Sequence, residues 1–335
     1  MPSQNDAPAL LPVSISWVEP RALIGKKAGG FYFGEGAPVE TLPNGVMPLE
    51  MPVLGASNVA GCEIWLSGSG AAFEQVGNIR FVRDGTMVFG YISLPEPLDA
   101  NLEELTYSAY DEILQFVRTL GGQHLWRLWN YFRDINELTS GLERYRAFNI
   151  GRQRAYDSAG DLLKVGMPAA SAIGLRKGAL SVAFIAGTQQ AQLVENPRQI
   201  SAFKYPECYG PKSPSFSRAG LIDLGESKLL LVSGTASIVG HESLHQDNSF
   251  AQTLTSLQNI QLVVSEAEKL AASRFSLQDM LYRVYVRNEV DCLSVENAFA
   301  EFFGDASILM DVHYVLGDIC RSELLVEIEA SGCFA

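Results

Sequence analysis

No stretch of this chain is apolar over the roughly 18 to 20 residues that a membrane-crossing helix needs, and Met1 to Pro12 lacks the basic start and apolar run of a secretory leader. The chain is therefore expected to stay in the cytoplasm, with no membrane partner. Cysteine is scarce: Cys62, Cys208, Cys292, Cys320 and Cys333 form no CxxC pair and are odd in number. That argues against a zinc knuckle and a disulfide framework and leaves reduced thiols. Basic residues are in deficit, 25 Lys and Arg against 38 Asp and Glu, for a formal charge of −13. No Lys/Arg cluster is dense enough to track a phosphate backbone, so no nucleic-acid partner is expected. A small anionic substrate is compatible with this balance, provided that a few Arg, Lys and Tyr side chains converge in one pocket. Nothing calls for a cofactor or a metal, and none is expected.

What is present is ordinary globular material: 335 residues, 47% hydrophobic and 19% charged, enough for two packed domains. Residues 1–55 carry GKKAGG, FYFGEGAP and TLPNGVMPLEMP, whose glycines and prolines predict an irregular N-terminal extension with short edge strands. Beyond it EIWLSG, NIRFVRD and TMVFGYISLP predict strands, and Leu102 to Leu120 shows helical spacing through Leu105, Tyr110, Ile113, Leu114, Phe116 and Val117. A strand-like WRLWNYFRD follows, then a helix from Gly141 to about Tyr156, then the apolar strand ALSVAFIAG.

The same order recurs after residue 210. SKLLLVSGTASIVG predicts paired strands, Ser249 to Ala272 an amphipathic helix, MLYRVYVRNEVD a strand, and Ser294 to Phe303 a second helix. ILMDVHYVLGD and LLVEIEASG close the unit. Tyr131 and Arg133 fall in register with Tyr285 and Arg287. The expected organisation is α+β: the extension 1–55, a first unit over 56–195 and a second over 196–335.

The second unit resembles the RidA/YjgF family in LVSG (Leu231 to Gly234), QTLTSLQN with Gln252, Thr253 and Asn259, VYV (Val284 to Val286) and VEIEA (Val326 to Ala330). That resemblance implies mostly antiparallel sheets packed by two helices, and trimers around a shared barrel with sites in the clefts between units. A chain with two units could build such a cleft internally, as a monomer or a small homo-oligomer such as a trimer. The resemblance also implies a substrate-holding arginine on the strand before VEIE. Here Val312 and, in the first unit, Ala170 stand at that position, so imine deamination is not expected.

Three longer segments resemble chorismatases: NPRQISAFKYPECYGPKSPSFSRA (Asn196 to Ala219), SGTASIVGH (Ser233 to His241) and GDICRSELLVEIE (Gly317 to Glu329). The upstream RYRAFNIGRQRAY (Arg144 to Tyr156) fits as well. The implied substrate is chorismate, a dianion with an enol ether, and the implied activity releases pyruvate and 3-hydroxybenzoate, with some 4-hydroxybenzoate open. Cleaving the ether begins by protonating its methylene carbon. Because carbon is a slow base, the donor has to be a carboxylic acid still protonated near neutrality. The resemblance assigns this to Glu327 and gives one departure, Lys212 where an arginine is expected, which keeps the charge but loses the two-pronged hydrogen bond. Alternation along LLVEIEA puts Leu325, Glu327 and Glu329 on one face and Val326 and Ile328 on the other. Periodicity alone favours a solvated face for both carboxylates, and the resemblance overrides that for Glu327 only.

In the first unit Ala183 is read as the counterpart of Glu327, which leaves one acid and one site per chain in the second unit. Cys320 stands seven residues before the acid, as in 3-hydroxybenzoate-forming members, and would steer aromatisation. A small apolar residue there accompanies the hydrolytic members, which give a dihydroxycyclohexadiene carboxylate. The candidate anchors are Arg152, Tyr205, Tyr209, Lys212, Ser215, Arg218 and Arg321. Arg144 and Arg154 read as exposed helix positions, and Arg321 could simply pair with Glu323. His241-Glu242-Ser243-Leu244-His245 matches HExxH, but that zincin motif works only on a helix, and this stretch reads as a strand-to-helix connection. A non-catalytic module that senses an aromatic acid is the remaining alternative.

Overall fold

The computed structural model describes residues 13, 15–36, 42–55, 59–67, 70–97, 100–164 and 166–335. Met1 to Pro12, read above for a leader, and the expected boundary at 56 lie outside those residues.

The N-terminal segment holds β1 (Ser16–Val18), β2 (Ala28–Phe33), β3 (Val46–Leu49), β4 (Val53–Leu54) and β5 (Gly61–Ser67). The short strands predicted there are present but are not mere edges. Strands β1, β2 and β3 form a four-stranded sheet with β5, ordered β1-β5-β2-β3, so the EIWLSG strand belongs to the extension and not to the first unit. Glycine is needed where backbones meet: a Cβ on Gly30 would lie 2.1 Å from the Glu63 carbonyl oxygen.

The first unit comprises β6 (Ala72–Val76), β7 (Ile79–Arg83), β8 (Met87–Leu94), α1 (Leu102–Thr119), β9 (His124–Arg133), the small hairpin β10–β11 (Leu138–Thr139, Leu142–Glu143), α2 (Arg144–Asp157), β12 (Ala169–Leu175) and β13 (Leu180–Gly187). Asn101 caps α1 by accepting from the Glu103 and Glu104 amides, and its apolar stripe, including Tyr110, Ile113 and Val117, is buried on the sheet. The second unit follows with β14 (Gln192–Val194), β15 (Ala219–Asp223), β16 (Lys228–Ala236), the hairpin β17–β18 (Ile238–Val239, Glu242–Ser243), α3 (Ser249–Ala271), β19 (Leu281–Val286), α4 (Cys292–Phe303), β20 (Val312–Leu316) and β21 (Val326–Phe334).

The internal duplication is visible strand for strand. One sheet runs β12-β9-β13-β8-β7-β6 and the other β20-β19-β21-β16-β15-β14, each with its parallel pair at the same end, β12 with β9 and β20 with β19. Register corrects one expectation. Tyr131 pairs with Ser181 and Tyr285 with Glu327, while Trp129 pairs with Ala183 and Arg283 with Glu329. The counterpart of Glu327 is therefore Ser181, and Ala183 matches Glu329; a two-residue slip keeps the same face, so alternation alone cannot detect it.

Each sheet is covered by its helices on one face, where Val326, Ile328 and Ala330 of β21 pack. The other faces of the two sheets meet the N-terminal sheet around one interior, to which Phe31, Trp65, Trp129, Tyr131, Tyr285 and Val315 contribute. Burial on both faces explains why the apolar residues of β9 do not alternate with exposed ones; even its interior Arg127 and Asn130 are buried. The two equivalent tyrosines touch there, Tyr131 Oη to Tyr285 Oη at 2.7 Å. Strand β4 adds to β20 and so covers the edge of the second sheet. No helix among the described residues is long and apolar enough to cross a membrane.

Candidate active site

Where the two units adjoin, β12 runs beside β16, and the Ala170 amide donates to Ser233 Oγ at 2.9 Å while that hydroxyl donates to the Ser217 carbonyl at 2.6 Å. Next to this seam opens a cavity of about 350 Å³, walled by β12, β16 and β21 and completed by α2 and the segments around Tyr205–Arg218 and Cys320–Glu323.

Glu327 reaches this cavity from β21 and is 4% exposed. Ala236 of strand β16 pairs with Glu327, and just before it β16 carries one extra residue, because Val232 pairs with Ala330 but Thr235 with Ile328. Such a bulge re-aims the chain locally, and Gly234 within it lacks the Cβ that would lie 1.9 Å from Glu327 Oε1. Burial, followed by the neighbouring Glu329 charge, pushes the Glu327 carboxyl up to about 8 against the pull of Arg127. The carboxyl is thus held in its protonated form near neutrality. Cys320 lines the same cavity, and burial, then the Glu327 charge, pushes its thiol up to about 12. It is a neutral S–H, not a thiolate.

Glu329 corrects the reading of a solvated face. It is 4% exposed and receives Trp129 Nε1 at 2.9 Å, Arg127 at 3.2 Å, and closer contacts from Arg283 and the Ser171 hydroxyl. Although burial opposes ionisation, Arg283, Arg127 and the Ser171 hydrogen bond hold its carboxyl below the usual range.

Five of the seven expected anchors line the cavity: Arg152, Tyr205, Tyr209, Arg218 and Arg321. Arg152, on α2, donates to Asn149 Oδ1 at 2.7 Å, and Arg218 donates to Tyr205 Oη and to the Ile200 carbonyl, each at 2.9 Å. Arg321 does not pair with Glu323. It donates to the His241 carbonyl at 2.8 Å and to Ser243 Oγ at 3.0 Å, and its guanidinium carbon sits over the Tyr209 ring, 3.9 Å from the centroid. Each of these three guanidiniums keeps one buried N–H without a partner among the described residues: Nε of Arg152, Nε of Arg218 and one Nη of Arg321. The three guanidiniums line the cavity and none has a carboxylate partner among the described residues, which suits a ligand with carboxylates.

The other two expected anchors are corrected. Lys212 is exposed and is not on the cavity wall. Ser215 is buried but donates to Gln153 Oε1 at 2.8 Å, tying its segment to α2. Arg144 is also not exposed: it is 4% exposed and ion-paired with buried Glu96. Arg154 sits, as expected, on the outer side with Glu103 and Glu104. The HExxH stretch forms the β17–β18 hairpin and its turn, with His245 at φ 59°, so its histidines do not share a helix face; His241 Nδ1 instead lies 3.2 Å from Tyr209 Oη.

Sequence reasoning missed Tyr145, Arg146, Ser171 and Gly234 as lining residues. Tyr145 and Arg152 stand seven apart on α2, two helical turns on one face, so the spacing that presents Arg152 was a signal for Tyr145. Gly234 enters the sequence reading only as a member of the LVSG and SGTASIVGH segments.

A family model described as "Chorismatase FkbO/Hyg5-like, N-terminal" matches residues 63–186. The chain is 33% identical over 300 residues to a 3-hydroxybenzoate synthase of Streptomyces hygroscopicus, covering 86% of each chain. It is 36% identical over 260 residues to a chorismatase of Streptomyces rapamycinicus, covering 75% of this chain and 76% of that one. A solved chorismatase crystal structure superposes with a TM-score of 0.83 at 28% identity, over 98% of this chain and 99% of that chain. With the duplicated α+β units, the buried acid and the arginine-lined cleft in place, the chain belongs to the chorismatase family.

Proposed function

We propose that this protein is a chorismatase that converts chorismate into 3-hydroxybenzoate and pyruvate in the cleft between its two units. The observation that carries this reading is a buried Glu327, its carboxyl pushed up to about 8, in the same cavity as three arginines that have no acidic partner among the described residues. Arg152, Arg218 and Arg321, with Tyr205 and Tyr209, bind the two carboxylates of the dianion. Glu327 then delivers its proton to the methylene carbon of the enol ether. Positive charge develops on the adjacent carbon and its ether oxygen, the bond from that oxygen to the ring breaks, and the transferred proton leaves in the methyl group of pyruvate.

In this reading a ring hydroxyl, not water, displaces pyruvate, and loss of a ring proton completes the aromatic product. The atoms of chorismate then divide between the two products with nothing added. Cys320, a neutral thiol beside the acid, steers that aromatisation. A small apolar residue would favour the hydrolytic outcome, so the cysteine favours 3-hydroxybenzoate over a dihydroxycyclohexadiene acid.

Incubation with chorismate should release pyruvate and 3-hydroxybenzoate in equal amounts, measured by chromatography against both hydroxybenzoate isomers. Saturable binding with chorismate returned intact would replace the enzyme by a sensing module. Turnover should fall as pH rises through about 8, where Glu327 loses its proton.

The anchors are separable by kinetics. Arg321→Ala should raise KM for chorismate by roughly tenfold or more, the scale of a lost charge-assisted hydrogen bond. Lys212→Ala, at an exposed position off the cavity wall, should leave KM within about twofold, the size of a surface change. Equal losses would return Lys212 to the binding set. The barrel has its third side supplied by the same chain, which supports a monomer as the working unit; sedimentation at assay concentration tests this.

A further inference from the structure

Behind the catalytic acid the barrel interior holds an ionic arrangement that the reaction above does not use. Glu63 comes from the N-terminal sheet, Arg127 from β9, Arg283 from β19 and Glu329 from β21, and their exposures are 1%, 1%, 2% and 4%. Arg283 bridges the two carboxylates, 3.2 Å from Glu63 and closer to Glu329, and Arg127 meets Glu329 at 3.2 Å. Indole N–H groups complete the shell, Trp65 to Glu63 at 2.7 Å and Trp129 to Glu329 at 2.9 Å.

Glu327 follows on the same face of the same strand and is equally buried, yet among the described residues it accepts no hydrogen bond and has no cation within ion-pair distance. Two guanidiniums therefore serve three carboxyls, and Glu63 and Glu329 take both. His313 adds no charge: stacked on Trp17, it is driven down to about 4 by burial and by Arg283. An unmatched third carboxylate inside the barrel would be costly, so the carboxyl without a cation keeps its proton.

Glu63 of the N-terminal sheet, whose carboxyl burial pushes up against the pull of Arg283, shares that guanidinium with Glu329. We infer that Glu329, fixed as a carboxylate between Arg127 and Arg283, is a positioning residue that keeps the proton on Glu327. This deepens the reading of Glu327 as the acid and rests on it. The other groups facing Glu327 come from the cavity: Tyr145 on α2, Cys320, and the arginines that receive substrate. Tyr145 and Cys320 are neutral, and a bound dianion offsets the arginines. Arg127 is the cation that pulls towards the carboxylate from behind, and Glu329 is the anion that opposes it.

The test is the high-pH limb of kcat. Glu329→Gln removes the opposing anion and frees Arg127, so the limb should move down by about one pH unit or more, the usual effect of a charge at this range. Arg127→Met removes the cation while Arg283 still holds Glu329, so the limb should move up. A purely structural role lowers kcat at every pH and moves neither limb. Limbs that stay in place, or move in the same direction, overturn the inference. If one variant does not fold by circular dichroism, the sign of the other decides. Failure here is distinct from failure of the acid assignment: an active Glu327→Gln would sink the assignment, whereas an inactive Glu327→Gln with unmoved limbs sinks only the charge balance.

Discussion

Glu327→Gln should lower chorismate turnover by ~10³-fold or more, within the range lost with a general acid, and leave the circular-dichroism spectrum unchanged. The amide is isosteric, stays neutral and has no proton acidic enough for carbon. On the proposed mechanism the reaction begins with protonation at carbon, a slow base for which bulk water is a poor acid. The same substitution has a signature in stability. Burial, followed by Glu329, raises the folded carboxyl from 4.5 to about 8, so the folded state holds a proton that the unfolded chain releases. The associated stability is full below the ordinary carboxyl range and is lost as pH rises through about 8. Gln has nothing to titrate, so the melting temperature of the variant should gain on that of the parent as pH rises across this window. Thermal melts at several pH values check this, and a variant that still turns over would remove Glu327 from its role.

Gly234→Ala is the second large effect. An added methyl would sit 1.9 Å from Glu327 Oε1, 2.8 Å from its carboxyl carbon and 2.9 Å from the Ser171 Cβ. No contact that short survives, so the acid or the bulge must move. Overpacking of this kind costs about 1–3 kcal/mol, and displacement of a catalytic group by about 1 Å costs up to about 10²-fold in rate. We expect kcat to fall by about that factor with KM changed much less, because the arginines are on other segments. A KM effect with kcat preserved would show that the glycine shapes the binding wall instead.

These two residues also mark what the sequence disclosed and what it withheld. Helix α1 and strand β9 were legible because their apolar spacing depends on their own neighbours: a one-sided stripe against the sheet in α1, a run buried on both faces in β9. The position of Glu327 was legible: the long motifs singled it out, and alternation placed it on the same strand face as Glu329. What covers that face was not legible, since a strand's period fixes orientation and says nothing of the layer opposite. The covering layer is built from the glycine- and proline-rich segment that reads as irregular, joined by the EIWLSG strand, which reads as part of the first unit and supplies Glu63. For the same reason Glu329 read as solvated and proved to be buried. Arg144 misled similarly: its helix register suggested an outer position, but Glu96, 48 residues earlier, meets it inside. Lys212 and Ser215 lie in a motif whose neighbours, Tyr209 and Phe216, do line the cavity, and a motif records proximity in sequence more faithfully than which side chains turn inward.

The third wall of the barrel is tethered to the other two by peptide bonds. Its local concentration is therefore fixed by the length of the connecting chain, not by how many copies share the solution. Where separate subunits must find one another, dilution opens the ring by mass action; here the layer that brings a carboxylate behind the acid arrives with the chain at any concentration.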